Sequence, residues 1–194
     1  MLARLGESPV TVDGVAIGRF DVQLLTAQAL ADPRTAATID AAYAEMAKGN
    51  FQRIAPLVRA QRSRMGVRSA MKMMMDLSSG ASAARRVRIE REAATSLLGN
   101  AINFPLMSLA GAWGNPDLGD DFRAPVRSDV PVLILAGELD PRTPVENGRE
   151  IVKHLTNGRL VVIPNAGHSF DLFGSVEIRA MVSEFLRRPR SDAL

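Results

Sequence analysis

The rhythm of apolar and polar positions changes twice along the chain. Residues 8–17, Ser-Pro-Val-Thr-Val-Asp-Gly-Val-Ala-Ile, alternate and are rich in β-branched side chains, which predicts a short hairpin turning at Asp13-Gly14. From residue 21 to about residue 31 the spacing becomes helical, with Val22, Leu25 and Ala29 in register, and Asp32-Pro33 ends it. Helices are expected over 35–48, closed by Gly49-Asn50, and over 51–64, with Ile54, Leu57 and Val58 on one side. Residues 67–77 hold four methionines among apolar neighbours, and 78–82 form a small polar break. Residues 83–98 read as an amphipathic helix with many arginines, ending at Gly99-Asn100. Pro105, Pro116, Pro125 and several glycines mark 103–126 as a linker with little regular structure.

At Val130 the pattern changes again. Residues 130–136, Val-Pro-Val-Leu-Ile-Leu-Ala, are almost continuously apolar, as a strand buried on both faces of a parallel sheet reads. A loop over 137–144 leads to an amphipathic helix over 145–155, closed by Asn157-Gly158. A second buried strand follows at 159–163 and a second loop at 164–169. The last helix, 175–187, carries Ile178, Met181, Val182, Phe185 and Leu186 on one stripe, and the Arg-Pro-Arg-Ser tail is polar and expected to fray. Strand, loop, helix, strand, loop, helix is a βαβα unit, so its two strands are expected to be parallel with a right-handed crossover. No internal repeat is visible. The expected organisation is a hairpin or core remnant at 1–17, a helical region at 18–110, a linker at 111–129 and an α/β segment at 130–194.

Composition narrows the class without changing this outline. The chain has 194 residues, 46% of them hydrophobic, enough for a packed core and unlike a disordered composition. There is no cysteine, which excludes disulfides, a cysteine nucleophile and thiolate metal sites. The net charge of +3 is mostly arginine, with lysine only at Lys48, Lys72 and Lys153. A basic balance invites a nucleic-acid reading. Here the charges are spread along the chain among 21 acids, with one tyrosine and one tryptophan to stack on bases, so no nucleic-acid partner is expected. The first ten residues lack a basic segment followed by an apolar one, so no signal peptide is expected and the compartment stays open. No apolar run approaches the roughly 20 residues a membrane helix needs, and a soluble chain with no membrane partner is expected.

The candidate chemistry sits at the ends of the two strands, where the functional loops of a parallel sheet lie. Asp140 falls in Gly137-Glu138-Leu139-Asp140-Pro141, and His168 in Asn165-Ala166-Gly167-His168-Ser169. Adjacent parallel strands would bring the two together. A carboxylate beside an imidazole fixes its tautomer and stabilises the imidazolium formed when the ring takes a proton from a serine. Glu138 is a rival acid on the same loop.

A strand, Gly-x-x-Asp, a nearby proline, a helix, a strand and Gly-His together resemble the last third of the α/β-hydrolase fold, in which a triad runs serine, acid, histidine along the chain. Residues 130–144, Val-Pro-Val-Leu-Ile-Leu-Ala-Gly-Glu-Leu-Asp-Pro-Arg-Thr-Pro, resemble in particular the proline iminopeptidase and tripeptidyl aminopeptidase-like serine peptidases. The stretch from Arg85 to Trp113, with Arg-Ile-Glu-Arg-Glu-Ala and Asn-Ala-Ile-Asn-Phe-Pro, resembles the same branch. The resemblance implies a partial α/β-hydrolase fold, with a helical cap at 18–110 followed by the C-terminal parallel βαβα unit. It implies Asp140 and His168 as triad members and an acidic cap site for the substrate's free amino group, with Glu90 and Glu92 as candidates by position. No metal or organic cofactor is implied, and members of the family are often exported.

The departure from the family is the nucleophile. No Gly-x-Ser-x-Gly occurs in the chain. The nearest pattern, Asp76-Leu77-Ser78-Ser79-Gly80, lacks the first glycine and follows a helical segment where the family has a strand. The expectation is therefore a C-terminal part of a serine hydrolase, inactive alone. The complete enzyme would be an aminopeptidase acting on small peptides, or an esterase built from the same parts. The alternative is a non-catalytic half that pairs with a complementary N-terminal half or with itself, through an exposed strand edge and an uncovered apolar sheet face.

Plainer readings stand beside these. Asp140 could be a turn aspartate before Pro141, and His168 a histidine that closes a strand. His154 lies near a helix C-terminus, where a cation is favoured, and reads as structural. Met71, Met73, Met74 and Met75 read as cap core before substrate pocket. Arg85, Arg86, Arg88 and Arg91, interleaved with Glu90 and Glu92, read as a solvated helix face before a phosphate site.

Overall fold

In the computed structural model, which describes residues 1–65, 69–109, 111, 114, 116–168 and 175–188, the chain divides into two units. One holds Met1–Ala29 and Ala37–Ala124, and the other holds Leu30–Ala36 and Pro125–Leu194. Trp113, Ser169 and the tail from residue 189 lie outside the described residues.

The first unit opens with a helix the apolar pattern did not signal, α1 (Leu2–Glu7), and then the hairpin of β1 (Val10–Val12) and β2 (Val15–Ile17). Asp13 and Gly14 have φ of 49° and 73°, the two positive angles that a two-residue turn needs to match the strand twist. The hairpin does not stand alone. Ile17 and Val15 share a core with Val22, Met46, Phe51, Ile54 and Val58, carried by α2 (Arg19–Ala29), α4 (Ile39–Ala47) and α5 (Ala55–Arg64) with the turn before it. Arg62 of α5 ties the pieces together: it donates to the Ala16 carbonyl and, from Nε and Nη2, to the Asp21 carboxylate of α2.

Several element boundaries differ from the pattern. The helix expected over 35–48 is two, α3 (Pro33–Ala36) and α4, because Pro33 starts a turn that does not continue through Thr38. The methionine-rich α6 (Ala70–Ser79), capped by the Ser69 hydroxyl, runs through Ser78 and Ser79 and ends at Gly80 with φ 54°. Only Met73 of its methionines is buried, while Met71 and Met75 are exposed, so the core reading holds for one of them. The next helix, α7 (Ala83–Thr95), stops short of Leu98 because Ser96 turns extended. A 3-10 turn at Ala101–Asn103 precedes the stretch 103–126 expected to be irregular, which contains short helices α8 (Leu106–Leu109) and α9 (Gly119–Arg123). Arg123, its side chain 9% exposed, is paired with Asp117 and Asp120.

The second unit is the α/β segment. β3 (Val132–Gly137) and β4 (Gly158–Ile163) are parallel, in a register from Val132↔Gly158 to Gly137↔Ile163, with α10 (Val145–Val152) between them and α11 (Val176–Arg187) after them. Adjacent strand residues point to opposite faces. Gly148 of α10 approaches Leu160 and Ile134, so α10 covers their face. Phe185 of α11 lies under the Arg159 guanidinium, 5.6 Å from its centre, so α11 lies on the other face. The face of Ile134 and Leu160 is thus covered by α10, and the other is met by Phe185 of α11. The strands are nonetheless only half-buried, all of β4 and residues 132–135 of β3 included, contrary to the expectation of full burial. With two strands paired only to each other among the described residues, apart from one bridge between Ser128 and Leu155, each strand is also an edge. On α11 the stripe is buried at Ile178 and half-buried at Met181, Val182 and Phe185, whereas Leu186 is exposed. The chain is thus mixed α/β, with helices and a parallel two-stranded sheet consistent with a partial α/β-hydrolase fold.

Ile17→Ala removes a fully buried side chain (0% exposed) from the first unit's core. It is expected to cost about 2–5 kcal/mol, read as a lower urea midpoint at unchanged slope.

Candidate active site

The loops after β3 and β4 are brought into contact by small residues and backbone bonds. A Cβ on Gly137 would lie 2.6 Å from the carbonyl oxygens of Ala166 and Gly167, so this position admits only glycine without moving backbone. Glu138 N–H donates to Ile163 O (3.0 Å) and Leu139 N–H to Ala166 O (2.9 Å). The Glu138 carboxylate accepts from the N–H of Asn165, which has a positive φ of 56°. The rival acid on this loop thus bridges the two loops, and the acid beside the imidazole is Asp140.

Asp140 is held by its own loop. Oδ1 accepts from the N–H groups of Arg142 (2.8 Å) and Thr143 (3.0 Å), and Oδ2 accepts from the Thr143 hydroxyl (2.5 Å). This is the turn chemistry that aspartate before Pro141 suggests. The same carboxylate also meets His168: Nδ1 lies 3.0 Å from Oδ2 and 3.2 Å from Oδ1. The Asp140 side chain is 5% exposed and that of His168 31%. Burial pushes the Asp140 carboxyl upward, but the Thr143 hydroxyl and N–H, His168 and the Arg142 N–H together outweigh it and hold the group below the ordinary carboxylate range. An ionised carboxylate only accepts, so the neutral ring carries its proton on Nδ1 and its lone pair on Nε2. That tautomer can take a proton at Nε2 while Asp140 stabilises the resulting charge.

The backbone of His168 is anchored from a distant part of the sequence. Its N–H donates to Ala31 O (2.8 Å), within the segment Leu30–Ala36 of the same unit. Gly167 lies against this segment, with Ala31 O 2.5 Å and Pro33 Cδ 2.8 Å from where its Cβ would be.

The other sequence candidates lie elsewhere. Glu90 and Glu92 are exposed on α7 in the first unit, where the Arg88 guanidinium bonds Glu92 (2.7 Å) and holds its carboxyl below the usual range. No residue of α7 is buried, in keeping with a solvated face. Ser78 and Ser79 occupy the last turn of α6, and the Ser79 hydroxyl donates to Met75 O. A nucleophile elbow instead presents its serine where a strand turns into a helix. His154 follows α10, and its carbonyl accepts from Ser128 N–H. Among the described residues there is no cluster of three or more His, Asp or Glu side chains able to hold a metal, and no helix is long and apolar enough to cross a membrane.

Sequence reasoning did not single out Thr143, Gly137 or Ala31. An aspartate followed three residues later by threonine was a usable sign for Thr143. Nothing local points to Ala31.

Residues 106–194 match the family model described as TAP-like protein, of the α/β-hydrolases, which supports an α/β-hydrolase C-terminal region here. No curated protein and no solved structure matches the chain.

Two outcomes follow from the site's geometry. Gly167→Ala is expected to displace the His168 loop, seen as a shift of the His168 ring resonances with the first unit's amide signals unchanged; unchanged ring resonances would contradict it. A carboxyl whose folded pKa is depressed stabilises the fold above the unfolded pKa, and that contribution is lost as pH falls through the folded pKa. Asp140 is such a group. Asp140→Asn is therefore expected to lower the urea midpoint at about pH 6 and to narrow the gap from the wild-type chain near pH 3, below the ordinary carboxylate pKa.

Proposed function

We propose that Asp140 and His168 are the acid and base of a serine-hydrolase triad whose nucleophile comes from outside these 194 residues. The complete enzyme is then an aminopeptidase that releases N-terminal residues or short peptides. The observation that carries this reading is the His168 Nδ1–Asp140 carboxylate bond at the ends of two adjacent parallel strands. The family match over 106–194 supports the hydrolase class. The likeness of residues 130–144 and 85–113 to the proline iminopeptidase and tripeptidyl aminopeptidase-like branch supports the peptidase assignment.

In this mechanism His168 Nε2 takes the proton of the attacking serine hydroxyl as its oxygen adds to the substrate carbonyl. Asp140 holds the imidazolium in place, and His168 then returns the proton to the leaving amine. Water repeats the sequence on the acyl-enzyme. An ester substrate would use the same groups with an alcohol leaving. The resemblance assigns residues 18–110 to a cap and offers Glu90 and Glu92 as carboxylates for the substrate's amino group. The half-buried, open-edged strands of the second unit favour pairing with a complementary half that brings the nucleophile.

The test is labelling with a fluorophosphonate probe, with hydrolysis of aminoacyl-nitroanilides and short acyl esters followed in parallel. The 194-residue chain alone is expected to show neither. Combined with a segment carrying a Gly-x-Ser-x-Gly elbow, it should gain both, and Asp140→Asn should then lower kcat by roughly ten-thousand-fold. Labelling of Ser78 or Ser79 in the chain alone, abolished by His168→Ala, would overturn the external nucleophile.

A further inference from the structure

One hydroxyl touches both members of the Asp140–His168 pair. Thr143 Oγ1 lies 2.5 Å from Asp140 Oδ2 and 3.4 Å from His168 Nδ1, and the Thr143 N–H reaches Asp140 Oδ1 at 3.0 Å. From these contacts we infer that Thr143 is a positioning residue that selects the Nδ1–H tautomer of His168 by fixing the orientation of the Asp140 carboxylate. The inference rests on reading that pair as acid and base.

A threonine hydroxyl has a single proton. That proton is directed at Oδ2 while two N–H groups point at Oδ1, so both oxygens of Asp140 act as acceptors, as those of an ionised carboxylate do. The hydroxyl oxygen then has only lone pairs to turn toward His168, so Nδ1 must carry a hydrogen. The opposite tautomer would set the Nδ1 lone pair against the lone pairs of Oγ1 and both carboxylate oxygens. Thr143 thus adds to the bias that Asp140 creates. Its side-chain bond also stops the carboxylate from rotating away from the ring, which the two backbone N–H bonds, both to Oδ1, do less well.

Thr143 is itself held firmly. Pro141 and Pro144 fix two φ angles in the loop, and a residue before proline is confined to extended backbone, which restricts Asp140 and Thr143 alike. Pro144 is the N-cap of α10, and the next residue, Val145, is buried. The hydroxyl is therefore presented from the junction of loop and helix. Hydrogen bonding from the Thr143 hydroxyl is also the largest influence lowering the Asp140 pKa.

The test is nitrogen NMR of ring-labelled histidine in the 194-residue chain, with His154 as internal reference. In the wild type, at a pH where the ring is neutral, His168 is expected to show a protonated Nδ1 and an unprotonated Nε2. In Thr143→Val, which keeps the shape and removes the hydroxyl, the two ring nitrogen shifts should converge as the tautomers mix. Thr143→Ser should restore the wild-type separation. If the valine variant disturbs the β3–β4 amide signals, Thr143→Ala gives the same reading without the added branch. A wild-type separation in the hydroxyl-free variant would overturn the inference. Asp140→Asn separates the two failures: convergence there but not in Thr143→Val leaves the acid–base pair standing and removes only Thr143. No change in either variant removes the pair as well.

Discussion

Burying the Asp140 carboxylate is the constraint around which the second unit is arranged. Its side chain is 5% exposed, and a desolvated carboxylate is unfavourable unless donors surround it. Three donors come from residues 142 and 143 and one from His168, so each oxygen has more than one partner. The local donors need only a tight turn between two prolines. The histidine needs much more, because it lies 28 residues away and must arrive with its ring nitrogen facing the carboxylate. Parallel pairing supplies that: Gly137 stands opposite Ile163, so the two loops leave the sheet side by side. Gly137 then lets the carbonyls of Ala166 and Gly167 close over it.

This division into local and distant requirements explains what was legible. The strands, the helix between them and the positions of Asp140 and His168 follow from short-range pattern, a continuous apolar run ending in a glycine-rich loop. The chain order of acid and histidine is likewise printed in the sequence. The choice between Glu138 and Asp140 is not, since both sit within three residues of the strand end. In the fold, Glu138 meets a backbone N–H and Asp140 meets the imidazole. The bond from His168 to Ala31 spans 137 positions and leaves no local trace.

Periodicity also failed in a consistent way elsewhere. It identified which side chains share a helix face but not what covers that face. Met71 and Met75 are exposed beside a buried Met73, and Leu186 is exposed beyond a stripe that begins with buried Ile178. Near Ser96 and within 103–126, the outcome depended on single contacts. There Arg123 pairs with Asp117 and Asp120 beside the short helix α9, in a stretch that composition alone reads as irregular.

The half-burial of β3 and β4 has a geometric cause that limits what can complete them. Parallel strands ordinarily occur in the middle of a layer covered on both sides. Here α10 lies over Ile134 and Leu160, and on the other face Phe185 of α11 meets the Arg159 guanidinium. What is missing is lateral. Among the described residues the Ser128–Leu155 bridge only continues the β3–β4 pairing toward the strands' N-terminal ends, and neither strand is paired on its outer side. A partner that stacks on the Ile134–Leu160 face would have to displace α10. One that adds strands at an edge would extend the existing hydrogen-bond pattern and leave the Asp140–His168 loops where they are, at the ends of the strands. Edge addition is therefore the geometry under which this unit gains burial without losing the one buried carboxylate its loops are built to hold.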